Sequence, residues 1–163
     1  VTFMATLLSA CAGEKPLPYV ECPKPFSLAD GERLVRSSGQ SSTAELTWVD
    51  LACEVTGPSN MEMALFVSGR FYANSAGTYD ATLPVFIAFV TDDDRVISRM
   101  TKNVSVSLEA ATSGDFVSFN QMVNGLDVQL DAVSNSMQVI VGFELSAEEL
   151  ASNISEKKRR LGY

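Results

Sequence analysis

Asn103-Val104-Ser105-Val106-Ser107-Leu108-Glu109 alternates apolar and polar side chains without a break. Successive side chains of a β-strand point to opposite faces, so a period of two describes a strand with one buried and one wet face. The same period runs through Leu126-Asp127-Val128-Gln129-Leu130-Asp131. It returns in Met137-Gln138-Val139-Ile140-Val141-Gly142-Phe143-Glu144-Leu145, where Ile140 breaks the polar side. Thr47–Val55 sets Val49, Leu51, Cys53 and Val55 on one face and Trp48 on the other. Met61–Tyr72 and Ala81–Thr91 are apolar on both sides and suit central strands covered on both faces. Pro84 is expected at the start of its strand, where a missing N–H costs least.

Turn chemistry separates these runs. Gly57-Pro58-Ser59-Asn60, Asn74-Ser75-Ala76-Gly77, Thr112-Ser113-Gly114-Asp115, Val123-Asn124-Gly125 and Ser134-Asn135-Ser136 read as loops, and Asp92-Asp93-Asp94-Arg95 as a hairpin tip. About seven or eight strands with such punctuation predict an all-β chain, an antiparallel, Ig-like β-sandwich. One helix is predicted over about 146–160. Ser146 and Glu149 have the spacing of a capping box, acids fill the first turn, and Lys157-Lys158-Arg159-Arg160 fill the last. Leu145, Leu150 and Ile154 are expected to pin it to the end of the sandwich.

The 163 residues fit one domain with a real core, and 46% of them are hydrophobic. No apolar run approaches the roughly 20 residues of a membrane-spanning helix. A formal charge of −8 argues against nucleic acid, which attracts basic surfaces. Histidine is absent, which removes Ser-His-Asp and Cys-His chemistry and every His-bearing zinc site. No phosphate-binding glycine loop, nucleophile-elbow motif or dinucleotide fingerprint is present.

Leu8-Ser9-Ala10-Cys11, behind the apolar Val1-Thr2-Phe3-Met4-Ala5-Thr6-Leu7, resembles the lipobox of bacterial lipoproteins. In that family the leader is cut before the cysteine, whose sulfur takes a diacylglyceryl group and whose new amino group is acylated. The resemblance makes Cys11 the lipidated residue and the membrane a partner through that lipid. No Lys or Arg precedes Cys11, so the basic start of such a leader is expected upstream of Val1. Ala12 after the cysteine implies sorting to the periplasmic face of the outer membrane. Leu83–Arg99 and Met137–Asn153 are also similar to small envelope lipoproteins of alphaproteobacteria that carry no assigned activity. The implied organisation is a leader remnant over 1–10, a lipidated, Pro-rich tether over 11–26, and one sandwich domain over 27–163.

Cys11, Cys22 and Cys53 form an odd set. Lipidation of Cys11 leaves Cys22 and Cys53 to pair in an oxidising periplasm. The alternative is a cytosolic domain with two buried free thiols there. Spacing and the lack of histidine speak against a metal on these cysteines.

The expected role is a lipid-anchored binding or scaffolding module with an envelope protein as partner, no cofactor and no catalysis. Trp48 and the basic cluster Lys157, Lys158, Arg159 and Arg160 are candidate contacts, the latter with anionic lipid. Asp92, Asp93 and Asp94 offer hard oxygen ligands for calcium but lack EF-hand spacing, and a solvated tip explains them. Two other classes stay open. Carboxylate pairs such as Asp127 and Asp131 would suit a sandwich hydrolase with a concave acidic cleft. Val1–Ala10 could instead be a strand donated to a neighbouring subunit, in which case Cys11 would never meet lipid.

Overall fold

Alternation in the sequence becomes alternation in burial. The computed structural model describes residues 20–37, 39–129 and 137–162. Eight strands and one helix follow in order: β1 (Lys24–Ser27), β2 (Arg33–Arg36), β3 (Ser42–Val55), β4 (Asn60–Ala73), β5 (Gly77–Val90), β6 (Val96–Ala110), β7 (Phe116–Gln129), β8 (Gln138–Phe143) and α1 (Ala147–Leu161). They form two four-stranded sheets, β1-β8-β5-β6 and β2-β3-β4-β7, packed as a β-sandwich. Hairpins join β3 to β4 and β5 to β6 within a sheet, whereas β4–β5 and β6–β7 cross between sheets. Cys11, Val1–Ala10, Pro16, Pro18, Asp131 and the turn Ser134-Asn135-Ser136 lie outside the described residues.

The core is the pair of inner faces. Met61, Met63, Leu65 and Val67 of β4 meet Leu83, Val85, Ile87 and Phe89 of β5, all at most 1% exposed. Each fully buried side chain of this size contributes about 1.5–3 kcal/mol, so this layer dominates stability. Expected features that the structure corrects have local reasons. β4 and β5 are central in their sheets, but their second faces are largely half-exposed or exposed rather than covered, Ala88 of β5 being a buried exception. Pro84 sits inside β5, not at its start; its carbonyl accepts the Glu144 N–H at 2.8 Å just where β8 ends, so the absent donor faces a frayed ladder. β1 pairs with β8 in parallel, the one departure from antiparallel order among the described strands. Lys24, Pro25 and Phe26, assigned by sequence to the tether, belong to this strand.

Val123-Asn124-Gly125 is not a loop. Met63 pairs with Leu126 and Leu65 with Val123, so Asn124 and Gly125 bulge out opposite Ala64 within β7. Gly125 takes a φ of 70°, which glycine adopts without strain.

Cys22 and Cys53 form a disulfide, with Cα atoms 5.6 Å apart. Cys22 precedes β1 of one sheet and Cys53 lies on the inward face of β3 in the other, so the bond staples the two sheets along one side. Helix α1 has both halves of the capping box, and its C-cap Gly162 is left-handed with φ 79°. It contains no buried residue, and Leu150 is 39% exposed. Leu145 packs against the core at the approach to the helix, as expected, and polar bonds add to the docking: Asn153 Nδ2 donates to the carbonyls of Asp30 (3.0 Å) and Arg33 (2.6 Å), and Lys157 Nζ lies 2.9 Å from Asp30 Oδ1.

Candidate functional site

Trp48 is aimed by a bulge. Leu46 pairs with Gly69 and Trp48 with Ser68, which leaves Thr47 as an extra residue in β3. Before it, Ala44 and Leu46 point into the core; after it, Val49, Leu51 and Cys53 do. The slip of one residue exchanges the faces and turns Trp48 outward, 53% exposed. Gly69 completes the device, since a Cβ there would lie 2.3 Å from Phe119 Cζ and 2.4 Å from the Glu45 carbonyl oxygen.

Cross-strand register then fixes the neighbours of Trp48 on the outer face of the β2-β3-β4-β7 sheet. Its row continues through Ser68 and Asn120, which hydrogen-bond to each other. The next row toward the Cys53 end holds Asp50, Phe66 and Met122, the last 48% exposed. On the other side lie Glu45, Arg70 and Ser118, then Tyr72 and Phe116. Phe116 is 52% exposed; Tyr72 packs against it at 5.5 Å between centroids, and the Arg70 guanidinium stands 5.4 Å over its ring. Aromatic platforms therefore flank two polar rows. At the far end of the sheet Glu54, Glu62 and Asp127 form one exposed acidic row.

A concavity of about 460 Å³ lies between α1 and the β2–β3 edge. Glu32, Arg33, Glu45, Glu156, Lys157 and Arg160 supply its charges, three of each sign, and buried Arg33 Nε makes no hydrogen bond among the described residues. Lys157 pairs with Asp30, Arg33 Nε lies 3.5 Å from Glu45, and Ser27 donates to Glu32. Arg159 and Arg160 both bond Glu156, whose carboxyl they hold down at about 2. Three of the four basic cluster residues are thus already ion-paired within the chain, which weakens any pull toward anionic lipid.

Asp92, Asp93 and Asp94 are exposed at the β5–β6 tip. Thr91 donates to Asp93 and lowers its pKa, and Asp94 has a φ of 59°. No three metal-binding side chains converge among the described residues. Every carboxyl with a resolved shift is pushed down, and each by hydrogen bonds: Asp93 by Thr91, Asp115 by the backbone of Thr112 and Ala111, Glu144 by Arg99, Glu156 by Arg159 and Arg160.

Comparison with protein-family models, curated proteins and solved structures gives no match. Sequence reading placed Trp48 on the outer face; it missed Phe116, Tyr72, Phe66 and Met122 as its companions. The signal that joins them is register, which two bulges set and which alternation within a single strand does not carry.

Proposed function

We propose that this chain is a lipid-anchored, non-catalytic binding module of the bacterial envelope, held by Cys11 and displaying the aromatic face around Trp48. The Cys22–Cys53 disulfide carries the reading. Such a bond belongs to oxidising compartments, and its formation leaves Cys11 as the odd thiol of the sequence, at the end of a lipobox-like stretch. Each buried CH₂ of an anchor contributes about 0.8 kcal/mol and a single chain holds only marginally, so the three chains usual in lipoproteins fix the domain to the membrane in practice. No helix among the described residues is long and apolar enough to cross a bilayer.

The concavity beside α1, whose lining carries three acidic and three basic side chains, is not the concave acidic cleft a carboxylate hydrolase would need, which favours binding. A Cys11→Ala variant produced in the native host tests the anchor. Wild-type protein is expected in the membrane pellet and the detergent phase, with the variant released by osmotic shock. Wild-type protein in the soluble fraction contradicts the reading.

A further inference from the structure

We propose that the outer face of the β2-β3-β4-β7 sheet binds an uncharged oligosaccharide, a proposal that rests on reading this face as the binding surface but not on the lipid anchor. A pyranose ring offers a flat C–H face bordered by hydroxyl groups. Its recognition needs an aromatic platform beside side-chain amides, hydroxyls and guanidinium groups that point the same way. This face supplies both. Trp48 shares its row with Ser68 and Asn120, and Phe116 with Tyr72 stands beyond the row of Arg70 and Ser118. Ser68 and Tyr72 are four positions apart on β4, so the two platforms lie ~14 Å apart along the strands. That span suits several linked sugars rather than one.

Charge points to the same occupant. The chain carries −8, yet these rows hold only Arg70 opposite Glu45, with Asp50 two rows away, and the acidic row of Glu54, Glu62 and Asp127 is set apart at the far end. A polyanion would meet no basic cluster here. Ser68 already donates to Asn120 Oδ1, but an apolar protein surface would leave the Asn120 amide N–H groups and the Ser118 hydroxyl without partners, at a cost that hydroxyl-bearing sugars avoid. Trp48 is held outward by a bulge and a crowded glycine, so the platform exists before any ligand arrives.

Titration of the full chain with β-1,4-linked hexamers of N-acetylglucosamine and of glucose, read by Trp48 fluorescence and calorimetry, tests this. At least one hexamer is expected to bind, with an affinity unchanged between about 50 and 500 mM salt. Trp48→Ala and Phe116→Ala are each expected to weaken binding by about tenfold or more. Trp48→Phe should restore most of the loss, and Thr82→Ala, exposed on the opposite sheet, should change nothing. Failure of both hexamers to bind overturns the proposal, as does binding that Trp48→Ala leaves intact. A wild-type dimer that Trp48→Ala disperses assigns the face to a second copy: the glycan is then wrong while the binding face stands. Neither dimer nor sugar binding removes both.

Discussion

Gly69 and Trp48 occupy opposite strands of one irregularity and should respond to mutation to very different degrees. A Cβ at Gly69 meets both the Phe119 ring and the Glu45 carbonyl oxygen, and backbone cannot step aside as a side chain can. Gly69→Ala is expected to lower stability by about 2–3 kcal/mol in urea unfolding. Trp48→Ala, at a half-exposed position, should lower it by about 1 kcal/mol or less. Glu62 stands between Glu54 and Asp127, and like charges directly across a sheet repel. Glu62→Lys should therefore raise stability by roughly 0.2–1 kcal/mol, read as a shift of the same urea midpoint. At this scale the sequence was half legible. The outward aim of Trp48 followed from the parity of Val49, Leu51 and Cys53, but the Thr47 slip that exchanges inward positions before and after it leaves no mark in composition.

The elements themselves were readable where one rule governs them. The strict alternation of residues 103–109 is β6, and the Ser146–Glu149 box begins α1, because a strand needs only period and a helix start needs only its cap. Val123-Asn124-Gly125 misled because a glycine with positive φ serves a bulge as readily as a turn. Leu150 misled because helical spacing says nothing of whether a surface lies opposite; it is left exposed, while Asn153 and Lys157 bond to the β1–β2 segment. The β6–β7 crossover makes an acid-sensitive joint. Asp115 accepts the N–H groups of Ala111 (2.7 Å) and Thr112 (3.0 Å), and these bonds hold its carboxyl below the ordinary 3.8. A carboxyl depressed in the folded state contributes stability above its unfolded pKa and loses it as pH falls through the lower folded value. Below pH 3.8 the urea midpoint of the wild type should therefore fall more steeply than that of Asp115→Asn, which has no charge to lose. Equal slopes would contradict this role.

At the scale of the whole molecule, two sheets held by apolar inner faces are clamped along one side by Cys22–Cys53. Closing that loop, 31 residues in sequence separation, contributes about 3.5–4 kcal/mol in the chain-entropy model. Reduction of the native protein should lower its melting temperature accordingly, while a Cys22→Ser/Cys53→Ser variant should be indifferent to reductant. The sandwich was legible from strand number and turn spacing, whereas the order β1-β8-β5-β6 was not, since pairing between strands far apart in sequence depends on how the two inner faces fill. The intact mass of the protein isolated from its native membrane bears most directly on the anchored-module reading. The expected species starts at Cys11, carries the added mass of diacylglyceryl and acyl groups, and is two hydrogens lighter than its reduced form. A species that retains Val1–Ala10, or one with an unmodified Cys11 thiol, would contradict it.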